Sequence, residues 1–308
     1  MEENLTTASQ APVIIEKTRE SGSKTIRNPR KVSAMFESAG AHLIMIITVI
    51  LAIFPLLVIL STSFKQPADI FTTSVQLIPP HPTLDNYTHV LTDNGGIFFI
   101  WLFNSAKIAI LTTILGVLLS APAAYAVSRW NFIGKQALLL SFLVTQMFPG
   151  VLLLVPLYNL FAQFGLLDNF WGLVVAYATT ALPFSVWMLK NFFDAIPKEL
   201  DEAALVDGLG PFRTFWQIIL PLTIPGVAVV AFFNFMAAWN EFMLAFSFLS
   251  DSHNLTLPVG IKDYVHNFGA DWQYLTAASV LVTIPVLFAF LWAQRYLITG
   301  LTGGSVKS

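Results

Sequence analysis

The 308-residue chain has no cysteine and little charge. Without cysteine there is no disulfide, no thiolate nucleophile and no Cys-ligated metal or cluster. Lys, Arg, Asp and Glu make up 11% of the residues, against about 25% in a typical soluble domain. That is too little to cover a water-facing surface. Histidine is equally sparse: His42, His81, His89, His253 and His266 stand singly, whereas a zinc-protease helix needs a pair one turn apart. Gly134-Lys135 is followed by Gln136 and lacks the upstream glycine of a phosphate-binding loop, so this chain does not bind ATP by that motif. There is no nucleophile elbow and no repeated filter of the kind a channel uses. The sequence therefore nominates no catalytic residue, no metal ligand and no cofactor of its own. An intramembrane enzyme and a standalone channel are the alternatives that these gaps disfavour.

What the chain does have is apolar residues, 56% of the total, with a mean hydropathy of +0.69. They gather in runs long enough to cross a hydrocarbon core about 30 Å thick as helices. In lipid only helices or closed barrels satisfy all backbone polar groups, and the alternating short segments of a barrel do not occur. The fold class expected is an all-α membrane protein with six transmembrane helices, near 42–63, 98–127, 137–160, 170–190, 218–246 and 274–294. Pro55, Pro122, Pro149, Pro156, Pro183, Pro221, Pro225 and Pro285 fall within these runs; proline is tolerated there and bends the helix. The first run begins near His42, too far in for a cleaved signal peptide, so it is expected to remain as an anchor.

Residues 1–40 are polar, with mixed charge, and read as a disordered tail. The membrane domain is expected over 41–298 and a short tail over 299–308. If the N-terminus lies inside, the inner segments hold 13 of the 16 Lys and Arg residues. An excess of Lys and Arg marks cytoplasmic loops, so both termini are expected in the cytoplasm. In the tail, Gly300, Gly303 and Gly304 disfavour helix.

Four polar residues interrupt the spans: Lys107, Gln146, Asn234 and Glu241. The stem of Lys107 is long enough to snorkel. Gln146, Asn234 and Glu241 are candidates for lining a solute pathway, although amides more often bond neighbouring helices and Glu241 falls near a helix end.

The loop 191–217 is the most informative segment. Pro197 suits the first turn of a helix, and Glu199, Asp201 and Glu202 suit its positive end. Gly208, Gly210 and Pro211 then stop it. This predicts a short helix between the fourth and fifth spans, whose Ala203, Ala204 and Gly208 are small enough for another surface to approach.

Here the sequence resembles a known family. Glu202-Ala203-Ala204, then Gly208, then Ile218, Leu220 and Pro221 match the spacing of the "EAA" motif of binding-protein-dependent ABC importer permeases. Asn104-Ser105, Trp239-Asn240-Glu241-Phe242 and the ending Leu301-Thr302-Gly303-Gly304-Ser305-Val306-Lys307 are similar to the carbohydrate branch, in particular the smaller maltose-type permease. The resemblance implies the type I importer fold in a bacterial or archaeal plasma membrane. It further implies pairing with a second permease, two ATPase subunits that bind ATP and Mg, and an extracytoplasmic binding protein that delivers a maltose-like or oligosaccharide solute. By the same resemblance, the EAA loop would couple to the ATPase, and Leu301, Gly303, Gly304, Val306 and Lys307 would contact it.

Overall fold

The computed structural model describes residues 29–72, 76–266 and 269–302. By its internal contacts the chain divides after Phe54 into two units. The first holds the front of α1 (Pro29–Ser63), whose apolar side chains such as Leu43, Ile50 and Leu51 are exposed, as lipid-facing residues must be. The helix starts at Pro29, within the stretch expected to be a disordered tail. Proline at the first helical position loses no hydrogen bond, and the residues after it include good helix formers. Residues 1–28 lie outside the described part.

The second unit holds everything that follows. After α2 (Asp85–Thr92) come α3 (Ile97–Arg129), α4 (Lys135–Met147), α5 (Gly150–Gln163) and α6 (Phe170–Asp194). Next are α7 (Glu199–Val206) and α8 (Pro211–Thr214), a π-turn at Phe215–Ile219, then α9 (Leu220–Leu222) and α10 (Ile224–Trp239). The described part closes with α11 (Met243–Phe248), α12 (Leu257–Ile261) and α13 (Trp272–Thr302). A two-stranded hairpin, Val265–His266 against Gly269–Ala270, precedes α13.

Among the described residues four helices are long and apolar enough to cross a membrane, and two bent helix pairs, each taken as one span, bring the number to six. The third, α4 with α5, bends by 101°, and the fifth, α8 to α10, bends by 80°. At the first break Phe148 is extended (φ −73, ψ 129), the conformation forced on a residue preceding proline, and Pro149 caps α5. At the second, the Thr223 hydroxyl donates to Ile219 O at 2.7 Å, a back-bond that bends helices, with Pro225 following. The fifth apolar run is shorter than 218–246 suggests, because its last part is the separate helix α11. The final helix outlasts residue 298 and continues to Thr302; one glycine at a helix end costs only about 1 kcal/mol, which a 31-residue helix absorbs.

α3 and α6 form the centre, and α10 packs against both. α3 buries Ser105, Ala109, Thr112, Gly116, Ser120 and Ala124 along one stripe, small residues that let backbones approach in a membrane. Two apolar clusters sit at opposite ends of this centre. One gathers Phe98, Trp101, Leu173, Trp239 and Phe248; the other gathers Ala121, Tyr125, Leu189, Phe193, Phe215 and Ile219.

Candidate functional site

The EAA segment forms the predicted short helix, α7. Glu199, Asp201 and Glu202 fill its first turn, where the helix dipole favours them. Its far end closes with Gly208 N–H on Leu205 O at 3.1 Å and Leu209 N–H on Ala204 O at 2.9 Å, the two bonds of a Schellman cap. Gly208 has φ +82, the left-handed conformation such a cap requires, and the space around it is open. Ala204 is buried, whereas Glu202, Ala203 and Gly208 are exposed. Ile218 and Leu220 pack against the second apolar cluster, and Pro221 is the second residue of α9. The motif thus splits into an outward face and an inward anchor.

Two features here escaped the sequence reading. First, the exposed end of α7 is apolar: Leu205 is 55% exposed and Val206 89%, with Phe212 beside them at 75%. Second, Asp201 is held from α3. Tyr125 OH donates to Asp201 Oδ1 at 2.5 Å, and Arg129 Nε lies 2.8 Å from Asp201 Oδ2. The same turn of α3 grips α6, since Ser128 Oγ donates to Asp194 Oδ1 at 2.6 Å and Arg129 Nη1 to Phe193 O at 3.1 Å. Lys190 occupies the other oxygen of Asp194. A cleft of about 190 Å³ lies beside this junction, lined by Arg129, Trp130, Lys198, Glu202 and Pro211 among others.

Between the two ends, a recess of about 290 Å³ brings Gln146 and Asn234 together with Thr180, Phe184 and Phe233. Gln146 donates to Thr180 O at 3.4 Å. Asn234 Oδ1 accepts from Ser185 Oγ at 2.9 Å, while its Nδ2 is buried without a hydrogen-bond partner among the described residues. Glu241 is not part of this recess. Its carboxylate accepts from Leu244 N–H at 2.7 Å and Ala245 N–H at 3.1 Å, so it caps α11 and defines the break after Asn240. Lys107 places its ammonium over the ring of Phe170, 4.4 Å from the centroid, a cation–π contact.

At the end away from α7, the loop 249–256 is tied down by residues of α3. Asn104 Nδ2 donates to His253 O at 2.8 Å and Leu255 O at 3.1 Å, and Ser105 Oγ accepts from Leu257 N–H at 2.7 Å. Asp168, in the left-handed region at φ 52, joins the two loops at this end. Its carboxylate accepts from the N–H groups of Ser250 and Asp251 and from Asn254. The bond from Ser250 N–H, more than the others, holds its carboxyl below the usual carboxylate range. Tyr264 is pushed up to about 12, chiefly by burial and then by the nearby Asp93 and Asp263. No cluster of three His, Asp or Glu side chains suited to a metal occurs among the described residues. Gly303, Gly304, Val306 and Lys307 lie outside the described residues, as does the side chain of Leu301.

Apolar spans, with α10 packed on an α3–α6 centre and the short helix α7 at one end of it, define a multi-pass membrane protein. Residues 113–303 match the family described as the binding-protein-dependent transport system inner membrane component, and the chain belongs to that family. It is 35% identical over 280 residues to the inner membrane ABC transporter permease protein YcjP of Escherichia coli, covering 91% of this chain and 99% of that protein. It is 38% identical over 285 residues to the maltose/maltodextrin transport system permease protein MalG of Vibrio parahaemolyticus, covering 87% and 95%. In fold it is similar to a chain of a bacterial ABC transporter that imports the acidic polysaccharide alginate, with a TM-score of 0.74, 22% identity and coverage of 86% and 97%.

Proposed function

We propose that this chain is one permease subunit of an ATP-driven importer for a sugar of the maltose or oligosaccharide class. It forms the pathway with a second permease, receives solute from an extracytoplasmic binding protein and is powered by two ATPase subunits that bind ATP and Mg. Both termini and α7 face the cytoplasm. The observation that carries this reading is the exposed apolar end of α7, where Leu205 and Val206 lie just before an open left-handed Gly208. A helix of this length is marginal alone, and an exposed apolar end calls for a covering partner. Gln146 and Asn234 line the solute pathway, bordering the recess between α4, α6 and α10, where the exposed amide of Gln146 meets sugar hydroxyls. Leu301, Gly303, Gly304, Val306 and Lys307 contact the ATPase in the assembled transporter.

Reconstitution of the complete transporter in proteoliposomes tests the reading. Gln146→Leu and Asn234→Leu remove hydrogen-bonding capacity worth roughly 1 kcal/mol each. Each should raise the apparent KM for maltodextrin uptake several-fold while the ATPase still co-purifies. Unaltered KM in both variants would remove these residues from the pathway. Absence of ATP-dependent uptake of any sugar by the intact transporter would refute the function itself.

A further inference from the structure

We propose that Tyr125 and Arg129 are positioning residues that make α7 move as one piece with α3, acting through Asp201. This rests on reading α7 as the helix that meets the ATPase. The backbone on either side of α7 is poorly suited to carrying a push. The chain enters through Pro197 and leaves through Gly208, at φ +82, followed by Gly210-Pro211. A stiffer route runs through side chains. Tyr125 OH and Arg129 Nε take the two different oxygens of one carboxylate, at 2.5 Å and 2.8 Å, and the two residues sit one turn apart on α3. The hydrogen bond from Tyr125 fixes the direction of the contact, and the ion pair with Arg129 holds the second oxygen close.

The junction is shielded except where Tyr125, Arg129 and Asp201 line the cleft beside it. The Arg129 side chain is 6% exposed and that of Asp201 17%, so sliding α7 along α3 would strand a charge away from water, which is unfavourable. The Tyr125 ring is held by Trp130, Phe193 and Phe215 at centroid distances of 5.4, 5.8 and 5.0 Å. Ser128 and Arg129 fasten Asp194 and Phe193 at the end of α6. The last turn of α3 is therefore a hub. Displacement of α7 reaches α3 and α6 together, and the recess holding Gln146 and Asn234 is bordered by α6 and α10, both packed on α3.

The test is the number of solute molecules taken up per ATP hydrolysed, measured on the full transporter in proteoliposomes with its binding protein. Asp201→Asn and Arg129→Gln should lower that ratio about tenfold, within the usual range of coupling energies. Arg129→Lys should retain most of it, Tyr125→Phe should lower it less, and the exchange R129D with D201R should recover part of it. An unchanged ratio in D201N and R129Q overturns the proposal. Should these variants lose assembled transporter, the packing-conserving Tyr125→Phe and Arg129→Lys decide: normal ratios in both leave the junction a purely structural contact and overturn it. A cysteine at Val206→Cys tests the underlying reading separately. It should cross-link to the ATPase in the otherwise native chain, and if it does not, α7 is not the coupling element and both readings fall.

Discussion

Gly116 and Asn234 share one space: a Cβ on Gly116 would lie 2.7 Å from Asn234 Nδ2. Asn234 is 2% exposed and anchored by Ser185, so it has little freedom to withdraw. Gly116→Ala should cost about 1–2 kcal/mol by overpacking, seen as a lower Tm of the detergent-purified protein. Because the two residues touch, their effects should not add. The double variant G116A with N234A should regain most of the Tm yet not the uptake. Independent, additive losses of Tm would contradict the contact.

Gly208 gives a second prediction, in which two physical reasons for glycine are separable. The left-handed φ costs an ordinary residue about 1–2 kcal/mol, while asparagine tolerates it. Among the described residues, apart from its chain neighbours, no atom stands within 4 Å of a Cβ placed there, so a clash points to a partner. If conformation is what matters, Gly208→Asn transports better than Gly208→Ala. The opposite order, smaller better than larger, would mean that close approach of the ATPase dominates.

The positions of charge along the chain predict topology. Asp85, Asp263 and Leu200 are all exposed, so a cysteine at each is accessible wherever solvent is. With no native cysteine, Asp85→Cys and Asp263→Cys should react with an impermeant maleimide added outside intact cells. Leu200→Cys should react only after the membrane is opened. The reverse pattern would invert the proposed orientation.

Asp168 predicts a pH dependence. Its folded pKa is lowered, so the unfolded state takes up a proton first as the pH falls. The stabilisation is therefore complete above the ordinary carboxylate pKa and is lost as the pH drops through the lower, folded value. The protection factors of the Ser250 and Asp251 amides, corrected for the intrinsic pH dependence of exchange, should fall across that acidic window. Asp168→Asn keeps a residue type that accepts a left-handed φ but removes the charge, so protection there should be lower at neutral pH and flat through the same window. A wild-type junction indifferent to acid would refute the role assigned to Asp168.

The sequence reading located the spans because α3 and α6 are long apolar runs whose ends are marked by charge, as at Arg129 and Asp194. It located α7 because its caps are local: Pro197, three early acids and Gly208 all act within one or two turns. Breaks were harder to read. Pro149 and Pro156 lie in the same run, yet only the one after Phe148 divides it, and proline identity does not say which. Glu241 read as a pathway candidate because an acid in an apolar run stands out; its use as a cap depends on the chain bending at Asn240. The Tyr125–Asp201 bond joins residues 76 positions apart, and no local pattern announces such a pair.

The bend in the third span has a consequence for a copy that never finds its partners. Phe148 and Pro149 sit exposed at a 101° corner, and irregular backbone at that depth is tolerated only where protein or a water-filled cavity covers it. An orphaned copy therefore presents the bilayer with a blemish that assembly conceals. Its lifetime in the cell should depend on how fast it is matched, which would let membrane proteases keep the subunits in proportion by clearing whatever is left over.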